Sequence, residues 1–212
     1  MATISYDKTQ DYLTSLVPAR EPEVQKMEKH AAKHGFPIIG PVCGYYCYQL
    51  ARMLGAKSVF ELGSGYGYST AWFAKAVKEN GGGIIHHTVW DDELSSMAQG
   101  HLSKLGYGDM VQYHNAEAVA TLRQTPGPFD IIFNDIDKEG YPDSLPVIKE
   151  KLRSGGILII DNILWSGRVY DKKNKDKSTV AIRRFTRTIT TDPDWIVSLA
   201  PMRDGMIVAY KK

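Results

Sequence analysis

The sequence predicts an α/β fold built on a mostly parallel sheet, and three observations indicate it. Short apolar, β-prone runs alternate with helical stretches, the pattern of parallel strands joined by right-handed crossovers. One such run, Ser58–Leu62, leads directly into a glycine-rich loop and a helix. Two others, beginning at Phe129 and Ile157, end abruptly in acidic residues. In an open α/β sheet ligands bind beyond the carboxyl ends of the strands, so we expect the functional site at this edge.

The predicted elements follow in order along the chain. Two helices come first, with Pro18 and Pro22 breaking the chain between them, and a third precedes the first strand. The predicted helices span residues 7–16, 21–34, 42–54, 69–78, 92–105, 116–123 and 141–152. The predicted strands span residues 58–62, 84–89, 111–114, 129–134, 157–160, 195–199 and 206–210. Only the short link 200–205 separates the last two strands, so we expect them to be antiparallel.

Bulk composition points to an ordinary globular protein. Hydrophobic residues make up 43% of the 212 positions, charged residues 24%, and the net charge is +2. These values give no general reason to expect a nucleic-acid or membrane partner, and no window has the apolar length of a membrane span. The N-terminus does not read as a secretory signal. We found neither a repeat nor an interdomain linker, so residues 1–212 are expected to form one domain, with a helical extension over about 1–40.

The two cysteines, Cys43 and Cys47, lie four residues apart on a predicted helix. Without nearby histidines they make a poor metal site. We expect them to be reduced, half-buried thiols, which suits a cytoplasmic protein.

Polar side chains follow two of the predicted strands at the point where each strand ends. Asp135 comes directly after one strand, and Asp161 and Asn162 follow another. Three hard oxygen donors meeting at one sheet edge suit Mg²⁺ or Ca²⁺ better than zinc. The alternative is that these residues only cap strands and turns. The glycine loop upstream favours the metal site.

That glycine loop, residues 63–67, reads Gly-Ser-Gly-Tyr-Gly. Glycines let the backbone turn tightly and approach a ligand without obstruction by a Cβ atom. The NAD fingerprint would space its glycines as G-x-G-x-x-G. Here the spacing is G-x-G-x-G after Glu61 on the strand, the form that S-adenosylmethionine enzymes use.

Together these motifs resemble those of the cation-dependent O-methyltransferases of the catechol and caffeoyl-CoA type. The similarity covers nearly all of the chain from about Ile38 to Lys211. It rests on the glycine motif at 61–70, on Asp-Ile-Asp-Lys at 135–138 followed by Tyr141, and on Asp-Asn-Ile-Leu-Trp-Ser-Gly at 161–167. A closing Asp204-Gly205 before the last strand also fits.

The resemblance implies a fold, two cofactors and a set of site residues. The fold would be the Rossmann-like, seven-stranded class I methyltransferase sheet, order 3-2-1-4-5-7-6, with strand 7 antiparallel. The cofactors would be S-adenosylmethionine and Mg²⁺, or another divalent cation such as Mn²⁺ or Ca²⁺. The substrate would be a small phenol of the catechol type, and a homodimer through the N-terminal helices is expected.

Site roles are carried over by position in the same way. Asp135, Asp161 and Asn162 would bind the metal, and Lys138 would be the general base. Lys138, Asn162 and Trp165 would face the substrate. The positions expected to bind the cofactor are Glu61, Gly63, Ser64, Gly65, Gly67, Ser69, Thr88, Asn115, Ala116 and Asp135, with Glu117 also near the adenine.

The chemistry agrees with these roles. A phenolic hydroxyl, with a pKa of about 10, is a poor nucleophile at neutral pH, and a divalent cation stabilises its ionised form. Lys138, three residues past Asp135, could accept the proton if the cation and desolvation favour its neutral form. Two vicinal hydroxyls could chelate the cation together.

The second predicted strand departs from the family's pattern. The family ends this strand in an acid that binds the cofactor ribose, and Thr88 falls roughly at that position. Either Thr88 replaces the acid, or a one-residue shift lets Asp91 serve. His86 and His87 precede it. Adjacent strand residues face opposite sides, so we expect one of these histidines to be buried and the other exposed.

The segment 168–187 carries eight lysines and arginines. It is either a solvated loop and outer helix face, or a patch for an anionic substrate such as a CoA thioester or a tRNA. Without a recognisable RNA-binding module, nucleic acid is the less favoured partner. A noncatalytic cofactor-binding protein and a dinucleotide oxidoreductase are further alternatives, the latter disfavoured by the glycine spacing and the acidic strand ends.

Overall fold

A computed structural model describes residues 5–212 of the chain. Within this range the chain forms seven β-strands and eight α-helices. The strands are β1 (Ser58–Leu62), β2 (Ile84–Val89), β3 (Val111–Asn115), β4 (Phe129–Asn134), β5 (Leu152–Ile160), β6 (Trp195–Ala200) and β7 (Met206–Lys211). The helices are α1 (Tyr6–Leu16), α2 (Pro22–His34), α3 (Gly40–Leu54), α4 (Tyr68–Glu79), α5 (Asp92–Lys104), α6 (Ala118–Gln124), α7 (Tyr141–Lys151) and α8 (Lys177–Thr191).

The strands form one sheet in the order β3-β2-β1-β4-β5-β7-β6. Strands β1 to β5 pair in parallel, and β7 runs antiparallel to both of its neighbours. The expected strand order, including the antiparallel seventh strand, is confirmed. The carboxyl ends of β1, β2, β4 and β5 therefore lie side by side at one edge of the sheet.

Each face of the sheet packs against its own layer of helices. Side chains alternate along β1, so Val59 packs into a core with α2 to α5. Its neighbour Phe60 packs into a second core with α6 to α8. Because both faces are covered, β1 and β4 are buried along almost their whole length, as in other parallel sheets.

Several predicted boundaries move, and two of the shifts have a clear physical reason. Strand β5 begins at Leu152 rather than 157, because Leu152 pairs with Phe129 before a register shift in β4. Helix α6 begins at Ala118 rather than 116, because the Glu117 carboxylate accepts hydrogen bonds from the first backbone amides of the helix. A capping carboxylate of this kind stands just outside the helix that it stabilises.

The expectation for the two histidines of β2 is wrong. Both are buried, because helices cover both faces of this strand. His86 Nδ1 lies 2.9 Å from His114 Nε2, and His87 Nδ1 lies 3.0 Å from Thr70 Oγ1. Burial lowers the pKa of His86 to about 4 and that of His87 to about 3, so both imidazoles are neutral core groups.

The cysteines are more buried than expected. Cys43 and Cys47 are both fully enclosed on α3 and form no disulfide. Burial raises the pKa of Cys43 to about 12, so this thiol is unreactive. Among residues 5–212, no helix combines the length and apolar character that a membrane crossing requires.

Candidate active site

The two predicted metal-binding strand ends lie next to each other. Asn134, the last residue of β4, pairs with Ile160, the last residue of β5. The backbone amide of Asp161 donates to the carbonyl oxygen of Asn134 at 3.2 Å, so Asp135 and Asp161 follow strand ends in register. The two carboxylates thus share one edge of the sheet.

Lys138 lies in a short 3₁₀ helix, Lys138–Gly140, and turns back toward the strand that precedes it. Its Nζ donates to Asp135 Oδ1 at 2.6 Å and to the carbonyl oxygen of Ile136 at 3.2 Å. The side chain is only 8% exposed. Nζ also lies 4.9 Å from the ring centroid of Tyr141 and 5.8 Å from that of Trp165. A lysine expected at the site is therefore enclosed by a carboxylate and two aromatic rings.

Asp161 is a buried carboxylate with one unsatisfied oxygen. Its side chain is 1% exposed, and Oδ2 lies 3.1 Å from Nη1 of Arg203. The other oxygen, Oδ1, is buried without a hydrogen-bond partner. Burial raises the pKa of the Asp161 carboxyl, an effect that Asp135 strengthens and Arg203 opposes. An unpartnered, buried carboxylate oxygen is what a site for a hard cation would offer.

Asn162 begins a loop whose conformation depends on Asp204. The Asn162 side-chain amide donates to Asp204 Oδ2 at 3.3 Å, and the backbone amide of Ser166 donates to Asp204 Oδ1 at 2.6 Å. The backbone amide of Leu164 donates to the Asp204 carbonyl oxygen at 2.8 Å. Gly205 completes the contact, because a Cβ atom there would overlap the side chain of Leu164.

Backbone strain is concentrated in the loop after β5 and in the turn between β6 and β7. In the described part of the chain, four non-glycine residues have positive φ, and all four lie here: Asn162, Trp165, Ser166 and Arg203. Such conformations cost energy and cluster at functional sites. The strained residues thus lie in the same region as the carboxylates and support the assignment of a functional site there.

The donor set fits a hard divalent cation. Across residues 5–212 no cluster of three or more His, Cys, Asp or Glu side chains has metal-binding geometry. A cation at this edge would instead take the carboxylates of Asp135 and Asp161 and the amide oxygen of Asn162. The buried oxygen of Asp161 supports that fit, and oxygen donors match Mg²⁺, Mn²⁺ or Ca²⁺.

The glycine loop lies against the edge of the sheet that carries Asp135. Gly63 has φ of 83°, and a Cβ atom there would meet the backbone carbonyl oxygen of Asp135 at 2.6 Å. The loop closes on itself through a hydrogen bond from Gly67 N to the Ser64 carbonyl oxygen at 3.0 Å. Phe36, from the link between α2 and α3, packs on Gly65. A cavity opens here, lined in part by Ile39, Gly63, Ser69 and Asp135.

Glu61 lies beneath this loop as a fully buried carboxylate. Both of its oxygens lack a hydrogen-bond partner. Burial raises its pKa to about 7, while the nearby hydroxyls of Ser69 and Thr70 act in the opposite direction. A buried acid without a partner fits a ligand that brings its own positive charge, such as an amino-acid ammonium group.

Thr88 is fully buried, and its hydroxyl is already engaged. It donates to the carbonyl oxygen of Glu61 at 2.6 Å and accepts from the backbone amide of Gly63 at 3.3 Å. Asp91 caps α5 by accepting from the backbone amide of Leu94 at 2.9 Å. Each of the two candidates for the ribose contact therefore has a structural role, which a sequence position alone does not reveal.

The residues expected near the adenine lie at the carboxyl end of β3 and directly after it. Asn115 pairs with Val89 at the end of β2, and the backbone amide of Ala116 donates to the Val89 carbonyl oxygen at 3.2 Å. The side chain of Asn115 also contacts Asp92. These residues thus lie one strand farther from the glycine loop than Thr88.

Sequence reasoning missed Arg203 and Phe36. Arg203 directly precedes the Asp204-Gly205 motif, but its contact with Asp161 joins residues 42 positions apart and has no local signal. In the basic segment, Arg183 donates to the backbone carbonyls of Arg168, Val169, Asp171 and Asn174. That arginine therefore holds the loop together rather than facing a partner.

Comparison with known proteins agrees with this architecture. A family model described as O-methyltransferase matches residues 19–212. The chain is 28% identical to a catechol O-methyltransferase of Niastella koreensis, over 98% of both chains. Its fold is similar to that of an O-methyltransferase from Bacillus cereus in complex with S-adenosylhomocysteine, with a TM-score of 0.87, 24% identity and 97% of both chains covered. It is also similar to TomG from Streptomyces achromogenes in complex with S-adenosylmethionine, with a TM-score of 0.87, 22% identity, and 99% of this chain and 100% of that chain covered. The chain therefore belongs to the O-methyltransferase family and is an S-adenosylmethionine-dependent O-methyltransferase of the catechol and caffeoyl-CoA type.

Proposed function

We propose that this enzyme methylates one hydroxyl of a small vicinal diphenol, and that it needs a divalent cation to do so. Asp135, Asp161 and Asn162 hold the cation, and Lys138 is the general base. The observation that carries the proposal is the enclosed Lys138, with Nζ 2.6 Å from Asp135 at the strand edge that also carries the unpartnered oxygen of Asp161. The relative from Niastella koreensis, by its name, acts on catechol.

Two groups come from outside the chain. S-adenosylmethionine supplies a methyl group that its sulfonium already activates, and a bound divalent cation supplies Lewis acidity that favours an ionised phenolic oxygen. The chain itself positions the cofactor and the phenol, and it accepts the proton of the phenolic hydroxyl. Glu61 is suited to receive the cofactor's ammonium group, and the absence of a Cβ atom at Gly63 lets the glycine loop pack against the backbone of Asp135.

Lys138, in its neutral form, takes the proton of the reacting hydroxyl at Nζ, and a divalent cation held by Asp135 would favour that neutral form. Its enclosure by Tyr141 and Trp165 limits competing water, which strengthens the polar interactions made there. The indole of Trp165 offers a flat face to a phenolic ring, and Arg168 lies 5.1 Å from the centroid of that indole. The chain thus supplies a base, an aromatic wall and a carboxylate pair at one edge of the sheet.

A set of matched phenols tests this function. With Mg²⁺ present, catechol should be methylated, whereas phenol and resorcinol should react at least about a hundredfold more slowly, because they cannot present two adjacent oxygens to one cation. Product is measured as methyl transfer from labelled S-adenosylmethionine. Equal rates for catechol and phenol would contradict chelation by a vicinal pair.

An anionic, CoA-linked phenol is a second candidate substrate. A surface cleft beside the 3₁₀ helix of Lys138 is lined by Lys175, Lys177 and Arg184, together with the acidic residues Glu139 and Asp143. Clustered positive side chains favour a phosphorylated ligand. If such a substrate is used, Lys177→Glu should raise the KM for a CoA-linked catechol without changing the KM for free catechol. A tRNA substrate would instead show methylation of RNA that weakens steeply with salt.

We also propose that two copies associate through α1 in a reducing, cytoplasmic compartment. Helix α1 has no buried residue, and Tyr6, Tyr12 and Leu16 are all more than half exposed. A second copy would cover these apolar groups. Light scattering should report a dimer for the parent protein and a monomer for Tyr12→Ser combined with Leu16→Ser. A monomeric parent would contradict this assembly.

A further inference from the structure

Arg203 places a fixed positive charge on a carboxylate that we assign to the metal. Its Nη1 lies 3.1 Å from Asp161 Oδ2, the Arg203 side chain is 33% exposed, and that of Asp161 is 1% exposed. Lys138 pairs with Asp135 in the same way, at 2.6 Å. Each of the two carboxylates that we assign to the metal is therefore paired with a cation from the chain itself.

The backbone holds Arg203 in this position at a cost. Its φ is 51°, a conformation that residues with a Cβ rarely adopt. Two backbone hydrogen bonds hold the turn that carries Arg203. Gly205 N donates to the Met202 carbonyl oxygen at 2.8 Å, and Leu164 N donates to the Asp204 carbonyl oxygen at 2.8 Å. Arg203 is thus not a mobile surface side chain that reaches Asp161 by chance.

We propose that Arg203 is an internal counter-ion that competes with the divalent cation for Asp161 and so sets the affinity of the site. This inference rests on the proposed function, because it requires that Asp161 bind a metal. Without metal, the guanidinium neutralises a carboxylate that would otherwise be buried and unpaired, a state that is strongly unfavourable. When a divalent cation binds, like charges repel, and Arg203 must give up Asp161 Oδ2 or tolerate that repulsion.

Removing the guanidinium should therefore destabilise the metal-free protein and stabilise the metal-bound protein. Arg203→Gln should lower the melting temperature of the metal-free protein, because Asp161 loses its partner. The same variant should bind Mn²⁺ about tenfold more tightly, a change typical of a partly exposed charge pair. A merely structural ion pair would lower the melting temperature without tightening the binding of metal.

The chain offers a matched control for the loss of charge. Arg153 pairs with Asp130 at 2.6 Å, with side-chain exposures of 35% and 19%. Both residues lie near the starts of their strands, at the opposite edge of the sheet from Asp161. Arg153→Gln removes the same charge from the protein, so its Mn²⁺ affinity should equal that of the parent. Arg203→Lys keeps the charge and should stay within about threefold of the parent.

The test is the dissociation constant for Mn²⁺, measured from the electron paramagnetic resonance signal of free Mn²⁺ in titrations of the full-length protein. The proposal is supported if Arg203→Gln binds Mn²⁺ more tightly than the parent while Arg153→Gln does not. It is also supported if Arg203→Gln binds Mn²⁺ measurably and the parent does not. Unchanged or weaker binding by Arg203→Gln overturns it. If Arg203→Gln does not fold, Arg203→Gly takes its place, because glycine suits positive φ.

The same titration distinguishes failure of the proposed metal site from failure of the role proposed for Arg203. If neither the parent nor Arg203→Gln binds Mn²⁺ while both bind S-adenosylhomocysteine, the metal site itself is wrong, and the inference falls with it. If both bind Mn²⁺ equally well, the metal site stands and only the role of Arg203 is wrong.

Discussion

The side-chain nitrogen of Asn162 lies 3.3 Å from Oδ2 of Asp204. This contact joins the loop after β5 to the turn between β6 and β7. Because the amide nitrogen of Asn162 faces Asp204, its amide oxygen is left for the proposed cation. We therefore expect Asp204 to be a positioning residue, which acts through Asn162 and through the strained loop that Ser166 belongs to.

Replacing Asp204 should weaken metal binding without removing a metal ligand. Asp204→Ala releases the amide of Asn162, and changes to groups that orient metal ligands typically cost about 10- to 100-fold in affinity. The Mg²⁺ concentration that gives half-maximal methyl transfer should rise accordingly, while saturating Mg²⁺ restores most of the activity. A variant with an unchanged Mg²⁺ requirement would show that Asn162 is oriented by other contacts.

Lys138→Met should reduce turnover far more than it reduces cofactor binding. Loss of a general base costs about 10²- to 10⁴-fold in rate, so kcat should fall in that range. The dissociation constant for S-adenosylhomocysteine, measured by calorimetry, should stay within about threefold of the parent. Lys151→Met, at a lysine that directly precedes the start of β5, should change neither value. A kcat preserved in Lys138→Met would remove this lysine from the role of base.

Glu61→Gln should stabilise the cofactor-free protein at high pH while weakening its affinity for the cofactor. Burial raises the pKa of Glu61 from its usual 4.5 to about 7 in the folded protein. The folded state thus binds more protons than the unfolded state, so the contribution of Glu61 to stability falls as the pH rises from 4.5 through 7. At pH 8 the variant should be more stable to urea by up to about 3 kcal/mol, and at pH 4.5 the difference should shrink.

The pH dependence of cofactor binding follows from the same group. Ionised Glu61 attracts an ammonium group, so the affinity for S-adenosylhomocysteine should fall about tenfold per pH unit below pH 7. Calorimetry between pH 5.5 and 8 measures this slope. In Glu61→Gln the affinity should be lower and nearly independent of pH over this range. A parent protein with a flat profile would exclude Glu61 as the partner of the ammonium group.

Asp161→Asn should abolish the response to metal and leave the fold intact. The change removes a ligand charge and also the buried charge that Arg203 now balances, so the metal-free protein should keep a melting temperature close to that of the parent. Addition of Mn²⁺ should raise the melting temperature of the parent but not that of Asp161→Asn. A metal-induced shift that survives in this variant would assign the cation to other residues.

Much of the architecture could be predicted from local patterns. The apolar runs marked the strands, and β1 and β2 have the predicted bounds because turns or glycines flank them. The strand order came from the resemblance to a family, since alternation alone does not order strands. The start of β5 was missed, because its pairing with Phe129 lies outside the apolar run.

The site could be predicted only in part, for a physical reason. Asp135, Lys138 and Asp161 follow strand ends, so their shared edge follows from topology. The contact of Arg203 with Asp161 and that of Phe36 with Gly65 depend on how distant loops fold back over that edge. The two histidines of β2 were assigned wrongly because alternation gives the face of a strand, whereas burial depends on what covers that face.

The most direct test of the proposed function is methyl transfer from S-adenosylmethionine to catechol before and after removal of divalent cations. The parent protein should be active with Mg²⁺, lose activity in EDTA, and recover it when excess Mg²⁺ is returned, while its affinity for S-adenosylhomocysteine stays unchanged throughout. Full activity in EDTA, with bound metal absent by elemental analysis, would contradict the assignment of Asp135, Asp161 and Asn162 as a catalytic metal site.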